Sequence, residues 1–311
     1  MTKKKLISVI IPVYNEEGNV VPFFAELKQA IPKEYEVEFI YVDDGSTDST
    51  LTKIKQLQAK NKNAKYISFT RNFGHQYALK AGLDHAQGEA VISLDGDFQH
   101  PPKLIPKMLE KWATGKYKIV FTRRIDDVKT TYLKQITSKL FYRFINSMSE
   151  TKIDVGSADF RLLDREVVRV ITSSEEANLF LRGLVSWTGF TSYAIDYVPD
   201  SRIWGTSKYT YPKMIRLALD AITSFSIIPL RFATIIGFFM SLFSGIYGLY
   251  AVIVFLTNRS SVIIGWPSVI ISVLFIGGLQ LLILGIVGEY IGKIFLETKK
   301  RPLYIVQEKS L

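Results

Sequence analysis

The sequence contains no cysteine and only three histidines. Without cysteine the chain can form neither disulfide bonds nor zinc sites with thiolate ligands, which is compatible with a reducing compartment. Internal repeats and low-complexity tracts are also absent. The first apolar stretch, Leu6–Val13, is short and is followed closely by Glu16 and Glu17. We therefore expect it to be a structural element and not a secretory signal.

Acidic residues are in the minority. The chain has 29 Asp and Glu against 39 Lys and Arg, which gives a net charge of +10. Such a surplus is typical of proteins that bind nucleic acid, anionic membranes or phosphorylated substrates. The apolar segments described next favour a membrane and a phosphorylated substrate, so we expect no nucleic-acid partner.

Long apolar runs are missing from the first two thirds of the chain, but two occur in the last third. We predict membrane spans at residues 232–256 and 266–291, because each can cross the roughly 30 Å of bilayer hydrocarbon. The second run is interrupted by Gln280 and by Glu289, which lies near its end, where a charge costs less. The alternative, a pair of buried core helices, fits poorly with runs this long that carry so little charge.

The distribution of basic residues predicts an orientation for these spans. Arg231 precedes the first run and four basic residues follow the second, whereas the loop between them has only Arg259. The positive-inside rule then places both flanks in the cytoplasm. Small residues at four-residue spacing permit close helix packing: Gly237, Ser241, Gly245, Gly288 and Gly292. Residues 211–230 form an amphipathic segment that can lie on a membrane surface, and residues 293–311 form a basic tail.

Residues 1–210 are predicted to form one domain that precedes the apolar segments. In its first half, strand and helix patterns alternate. Strands are predicted at 6–13, 36–42, 65–70, 90–94 and 116–122, and helices at 20–30, 49–60, 74–86 and 130–146. This βαβ spacing predicts an α/β fold whose parallel sheet is covered by helices on both sides. Residues 151–210 look less regular.

Polar residues follow several of these strands. Ligands of such sheets bind beyond the carboxyl ends of the strands, so the residues at those ends are expected to meet at one rim: Asp43, Asp44, Arg71, Asp95 and Asp97.

The tripeptide Asp95-Gly96-Asp97 is the central chemical signal. Two carboxylates on a tight turn can hold a hard cation, and Mg²⁺ prefers one or two carboxylates together with phosphate oxygens. Gln99 adds a further oxygen. The alternative is an ordinary turn, since Asp and Gly are common turn residues. The position after a series of βα units favours a metal site.

Two further polar loops allow both a structural and a binding interpretation. After the first strand, Tyr14 could stack on a base and Glu16 could bind base or ribose, while Asn15 could cap the next helix. After the second strand, only one of Asp43 and Asp44 is expected to serve the turn, which leaves the other for a nucleotide. His75 could bind a donor phosphate or be structural.

Taken together, these motifs resemble the family 2 glycosyltransferases of the GT-A fold. More narrowly, they resemble the bacterial polyprenyl-phosphate sugar transferases, relatives of dolichyl-phosphate mannose synthase. The resemblance covers nearly the whole chain and rests on these segments: 12–17, 43–48, 71–75, 95–102, 159–165, 204–209, 288–290 and 300–304. Residues 178–183 depart from a more acidic version, so we assign them no role in the site.

The resemblance implies a Rossmann-like, mostly parallel catalytic sheet followed by a transmembrane hairpin, and it implies specific site residues. Those expected to bind the donor are Pro12, Tyr14, Glu16, Asp43, Asp44 and Arg71. Asp95, Asp97 and Gln99 are expected to surround Mg²⁺ or Mn²⁺ and the donor phosphates, and Asp159 takes the position of a catalytic base. Those expected to hold the acceptor phosphate are Arg123, Lys134, Ser138, Arg202, Ser207 and Lys208.

The implied reaction is the inverting transfer of one sugar, glucose or N-acetylglucosamine, from a nucleotide donor to undecaprenyl phosphate. The donor is expected to be a UDP-sugar, the location the bacterial cytoplasmic membrane, and the assembly a homo-oligomer such as a tetramer. One alternative is a processive polysaccharide synthase, disfavoured by the absence of a Gln-x-x-Arg-Trp element and by only two predicted spans. A second alternative is a non-catalytic nucleotide-binding membrane scaffold.

Overall fold

The computed structural model describes residues 4–124, 157–174, 176, 179–198, 228–257 and 266–311. The predicted helix at 130–146 and all but the last three residues of the predicted segment 211–230 lie outside these ranges. The described part of the chain contains a single eight-stranded sheet with helices on both faces and two long apolar helices. The predicted α/β class is therefore confirmed.

The first half alternates strand and helix, as the sequence pattern predicts. Its elements are β1 Leu6–Val13, α1 Val20–Ala30, β2 Glu36–Asp43, α2 Thr50–Lys60, β3 Ala64–Phe69, α3 His75–His85, β4 Ala90–Ser93, the short helix Pro102–Leu104, α4 Ile105–Ala113 and β5 Ile119–Arg124.

The second half contains β6 Ser157–Asp164, α5 Arg165–Thr172, α6 Leu181–Trp187, β7 Ser192–Tyr197, α7 Ile228–Thr257, α8 Trp266–Thr298 and β8 Val306–Ser310. Of these, α7 and α8 correspond to the two predicted apolar spans, whereas the sequence pattern did not reveal the other five elements. Residues 151–210 were predicted to be less regular, but the described residues of that range form two strands and two helices. Strand β6 is buried in the middle of the sheet, and the apolar residues of α5 pack beneath it.

The strands lie in the order β7-β5-β6-β4-β1-β2-β3-β8. All neighbours run parallel except that β6 is antiparallel to β4 and β5, and β8 is antiparallel to β3. The register aligns the ends of six strands along one edge of the sheet, where β6 and β8 begin. We call this edge the carboxyl rim; it is marked by Val13, Asp43, Phe69, Ser93, Arg124 and Tyr197.

Alternating residues of the central strands build two apolar layers. Ile7, Val9 and Ile11 pack with α1 and α4 on one face, whereas Ile10 packs with α3, α5 and α6 on the other. Strands buried on both faces read as nearly continuous apolar runs, which is why Leu6–Val13 was recognisable from sequence. The two layers fix the strands, and the strands fix the positions of the loops at the carboxyl rim.

The C-terminal segment is not the free basic tail that the sequence suggested. Helix α8 continues to Thr298, and Val306–Ser310 then adds strand β8 to the edge of the sheet beside β3. An exposed sheet edge offers unpaired backbone N–H and C=O groups. The chain satisfies those of β3 with its own C-terminal residues.

Helices α7 and α8 are long and apolar enough to cross a membrane, judged by length and composition. Those of their large apolar side chains that the structure describes are mostly exposed, as expected for surfaces that lipid would cover. No other described part of the chain packs against the glycines of the small-residue rows. A Cβ added at Gly237, Gly245, Gly288 or Gly292 would meet no atom within 4 Å.

Candidate active site

Two interlocked loops follow β1 and β2 at the carboxyl rim. The Asn15 N–H donates to Ser46 Oγ at 2.9 Å, and the Thr47 N–H donates to Asn15 Oδ1 at 2.8 Å. The Glu16 N–H donates to Thr50 Oγ1 at 2.9 Å. Asn15 has a φ of 56°, in the left-handed region that Asn tolerates better than most residues. It ties the two loops together and does not cap α1, so that alternative interpretation was wrong.

The adjacent acids Asp43 and Asp44 are both buried, and both accept hydrogen bonds from the protein. Asp43 accepts from the Ser46 N–H at 3.1 Å and from the Ser68 hydroxyl at 2.8 Å. Asp44 accepts from the Phe73 N–H at 2.7 Å in the loop after β3. Asp43 alone binds within its own turn, as expected, but Asp44 is not left over, because it binds the loop after β3. Both shape the rim, and their contact with a nucleotide remains a prediction.

The loop after β3 packs directly on the loop after β2. Gly45 has a φ of +70°, and a Cβ there would lie 2.4 Å from the carbonyl carbon of Arg71. Only glycine combines this conformation with so close an approach. The Arg71 guanidinium stacks on the Phe73 ring at 4.2 Å, and Tyr14 is exposed at the same rim. Binding of a donor by these side chains remains a prediction. Pro12 is instead buried within β1.

The acidic turn follows β4 and brings Asp95, Asp97 and Gln99 to the middle of the rim. The Gln99 N–H donates to Asp97 Oδ1 at 3.0 Å, and the Asp95 N–H donates to His100 Nδ1 at 3.1 Å. Within the described ranges, Asp95 Oδ1 is the one buried side-chain oxygen or nitrogen without a hydrogen-bond partner. Because such an atom is costly to bury, it points to a ligand.

This turn fits a divalent cation that shares its ligands with a substrate. Among the described residues no cluster of three or more His, Asp or Glu side chains forms a complete metal site. Mg²⁺ commonly takes one or two carboxylates and fills its other positions with water and substrate phosphates. Asp95 and Asp97 supply two carboxylates on one turn, and Asp95 Oδ1 accepts no hydrogen bond from the described residues, although His75 Nε2 lies 3.4 Å from it.

Asp159 lies on β6, beside the acidic turn, at the centre of a buried charge cluster. Its carboxylate receives two hydrogen bonds from Arg182, Nε to Oδ1 at 2.8 Å and Nη2 to Oδ2 at 2.7 Å. Arg161 Nη2 donates to Oδ1 at 3.2 Å, and the Ser93 hydroxyl donates to the Asp159 carbonyl at 2.7 Å. Although burial opposes the charge, Arg182, His75 and Arg161 hold the pKa of Asp159 well below its usual range.

His75 begins α3 and lies between two carboxylates. Its Nε2 is 3.4 Å from Asp95 Oδ1 and 3.6 Å from Asp159 Oδ2. Burial disfavours the imidazolium, but the interactions with Asp159 and Asp95 outweigh it and raise the pKa of His75 to about 9. The imidazole is therefore cationic at neutral pH. Opposite charges alternate in the order Asp95, His75, Asp159 and Arg182.

Of the residues predicted to hold the acceptor phosphate, Arg123 is described. It lies at the end of β5, and its Nε and Nη2 contact the Asp196 carboxylate at 2.6 and 3.0 Å. The other five lie outside the described residues: Lys134, Ser138, Arg202, Ser207 and Lys208.

Arg182 is the site residue that the sequence analysis missed. It belongs to the segment 178–183, which was assigned no role because it departs from the expected family pattern. One feature of the sequence could have identified it: Arg182 is the one charged residue in the helix Leu181–Trp187. A charge on a largely apolar helix usually needs a partner of opposite charge. The partner, Asp159, is 23 residues earlier in the chain.

Comparisons with known proteins identify the family of this chain. Residues 8–172 match the model of the family described as "Glycosyl transferase family 2". An uncharacterized glycosyltransferase of Bacillus subtilis, YkcC, is 41% identical over 99% of this chain and 95% of its own length. The bactoprenol glucosyl transferase of Shigella phage SfX is 42% identical over 98% of this chain and 99% of its own length.

A solved structure is also similar. The mannosyltransferase PcManGT of Pyrobaculum calidifontis, in complex with GDP-Man and Mn²⁺, aligns with a TM-score of 0.48 and 18% identity over 72% of this chain and 64% of its own. The family model covers more than half of the chain, and relatives above 40% identity cover nearly all of it. The chain therefore belongs to glycosyl transferase family 2 and is a glycosyltransferase.

Proposed function

We propose that the protein transfers a single sugar, with inversion, from a nucleotide-sugar to a polyprenyl phosphate at the cytoplasmic face of a bacterial membrane. Undecaprenyl phosphate is the proposed acceptor, and UDP-glucose or UDP-N-acetylglucosamine the proposed donor. The lipid-linked sugar would then serve as a donor for modification of a cell-envelope glycan. The protein is proposed to act as a homo-oligomer, for which a tetramer is one form.

One structural observation carries this proposal: helix α8 ends beside the carboxyl rim. Seven residues, 299–305, join its last residue to β8, and seven extended residues span at most about 25 Å. Strand β8 begins at the carboxyl end of β3, opposite Phe69. Glu297 of α8 is also close enough to Tyr77 of α3 to add to the effect of burial and raise the pKa of that tyrosine.

The acidic turn and the Asp159 cluster thus occupy the side of the sheet from which α8 departs. An acceptor whose phosphate lies at a bilayer surface would reach this side without leaving the membrane. A soluble acceptor would not require the carboxyl rim to lie near the apolar helices.

The relatives support the acceptor class. The Shigella phage protein that matches over nearly its full length is named a bactoprenol glucosyl transferase, and bactoprenol names a prenyl carrier. We extend that acceptor class to this chain because the match includes both the sheet and the apolar helices. The choice between glucose and N-acetylglucosamine rests on the resemblance of the sequence motifs alone.

The proposed reaction is one in-line displacement at the anomeric carbon. An oxygen of the acceptor phosphate forms the new bond, the bond to the nucleoside diphosphate breaks, and that group leaves with the electron pair. A divalent cation held by Asp95 and Asp97 would stabilise negative charge on the leaving diphosphate. The positive end of α3 and the His75 imidazolium face the same region. The acceptor is already an anion, so little general-base assistance is required.

The deciding experiment is an analysis of the product by mass spectrometry. Purified protein in nanodiscs is incubated with undecaprenyl phosphate and, separately, UDP-glucose, UDP-N-acetylglucosamine and GDP-mannose. We expect one hexose or N-acetylhexosamine per lipid, linked through one phosphate. Polymer would support the processive synthase, and no turnover with any donor would support the nucleotide-binding scaffold. Either result would overturn the proposal.

A further inference from the structure

We propose that Arg182 binds the phosphate of the acceptor, and that Asp159 serves to position Arg182 and not to accept a proton. This inference rests on the function proposed above and assigns the acceptor contact to a described pair of residues. Its basis is the geometry of the charge cluster on β6 and α6.

The Asp159 carboxylate is occupied on both oxygens. Arg182 binds Oδ1 and Oδ2 as a fork, with distances of 2.8 and 2.7 Å, and Arg161 adds a contact to Oδ1 at 3.2 Å. A general base needs an oxygen within hydrogen-bond reach of the proton that it removes. It also needs a pKa near the working pH, whereas these cations hold the pKa of Asp159 well below its usual range. Asp159 is therefore poorly suited to proton transfer.

The two arginines differ in what they can do. Arg161 is 5% exposed, and besides Asp159 it donates to the Ala158 carbonyl at 3.1 Å, so it neutralises the interior of the cluster. The Arg182 side chain is 39% exposed although its guanidinium is fixed by two charge-assisted hydrogen bonds. A fixed, partly exposed guanidinium can bind phosphate oxygens without first losing side-chain freedom.

The geometry around Asp159 also favours an anionic ligand. Arg161 and Arg182 both pair with the single carboxylate of Asp159, so two guanidinium groups face one carboxylate at this end of the cluster. In the order of contacts, Asp95 pairs with His75 and Arg182 pairs with Asp159, so the donor diphosphate would lie by Asp95 and the acceptor phosphate by Arg182.

The test compares the acceptor KM with the donor KM for Arg182→Gln and Arg182→Lys in nanodiscs. We expect Arg182→Gln to raise the acceptor KM by about ten- to a hundredfold, the range for a lost charge-assisted hydrogen bond, while the donor KM stays within twofold. Arg182→Lys should recover part of the loss. Arg169→Gln, which removes an exposed arginine of α5, is the matched control and should leave both values unchanged.

A double-mutant cycle separates positioning from proton transfer. If Asp159 acts through Arg182, Asp159→Asn raises the acceptor KM, and the double variant is little worse than either single variant. If Asp159 is instead the base, Asp159→Asn abolishes a limb of the pH–rate profile, and Arg182→Gln leaves the acceptor KM unchanged. That second pattern, or an effect of Arg182→Gln on the donor KM alone, would overturn the inference.

A direct binding measurement tests this inference independently of the proposed function. Binding of farnesyl phosphate to the donor-free protein is measured in detergent by calorimetry. Weaker binding to Arg182→Gln than to Arg169→Gln supports the phosphate contact even if wild type transfers no sugar to a prenyl phosphate. The inference would be contradicted if the two variants bound farnesyl phosphate equally and both unfolded at the wild-type temperature.

Discussion

The acids at the carboxyl rim differ in how the fold uses their oxygens. Asp43 and Asp44 hold the backbone of neighbouring loops, and one oxygen of Asp97 receives the Gln99 N–H. Asp95 Oδ1 receives no hydrogen bond although it is buried. The fold therefore uses the first acids for loop geometry, whereas an oxygen of the acidic turn accepts no hydrogen bond from the described residues and is the one that we propose binds a ligand.

Asp97→Asn tests this division because it removes charge but keeps the oxygen that accepts from Gln99. We expect transfer to fall roughly a hundredfold or more, as for the loss of a group that stabilises charge in the transition state, while thermal unfolding is unchanged. EDTA should abolish wild-type activity, and excess Mn²⁺ or Mg²⁺ should restore it. Glu110→Gln, on the exposed side of α4, is the control. Full activity in EDTA or in Asp97→Asn would contradict the metal assignment.

The site residues that the sequence predicted are those fixed by local structure. Asp43, Asp44, Asp95 and Asp97 follow strands, so strand prediction alone places them on one rim. Arg182 could not be found in that way, because its role depends on a contact with Asp159 between segments that are separate in the chain. Ion pairs of this kind are set by tertiary packing and leave no periodic pattern in the sequence.

At the level of elements, strand β8 connects the apolar helices to the catalytic sheet. Tyr304, just before β8, stacks on Phe69 with ring centroids 5.1 Å apart, and its hydroxyl donates to Asp84 at 2.9 Å. Within β8, Glu308 pairs with Lys55 at 2.6 Å. Phe69 ends β3, immediately before the loop that binds Asp44. The C-terminal segment therefore supports a loop of the site.

Tyr304 variants test that support. Tyr304→Phe loses only the hydrogen bond to Asp84, and we expect it to cost about 1 kcal/mol of unfolding free energy. Tyr304→Ala also loses the stacking on Phe69 and should cost roughly 2–3 kcal/mol. Donor affinity should fall with it, because the loop after β3 loses its packing. Thermal unfolding and nucleotide titration in detergent measure both effects. Val21→Ala, exposed on α1, is the control, and wild-type behaviour of Tyr304→Ala would refute the role of β8.

Strand β8 illustrates why short edge strands escape prediction from sequence. Its five residues, Val306–Ser310, include two charged side chains and have no continuous apolar run. The strand forms because β3 offers an unpaired edge and because Tyr304 anchors the segment beside it. By contrast, β1 and β2 are buried on both faces and were predicted almost to the residue.

For the whole molecule, the central claim is that the carboxyl rim faces the bilayer. The short connection from α8 to β8 supports it, and the two ends of α2 offer a way to measure it. Ser49 precedes α2 on the side of the carboxyl rim, and Lys62 follows α2 at the opposite edge; both are exposed. Eleven helical residues separate them by about 16 Å.

The absence of native cysteine allows single-site labelling of Ser49→Cys and Lys62→Cys. Each variant is labelled with a donor fluorophore and reconstituted into nanodiscs that contain an acceptor dye on the lipid headgroups. Transfer activity of each labelled variant serves as the control for correct folding. If the rim faces the bilayer, energy transfer is greater from position 49 than from position 62. Equal transfer, or greater transfer from position 62, would contradict the orientation on which the proposed lipid acceptor depends.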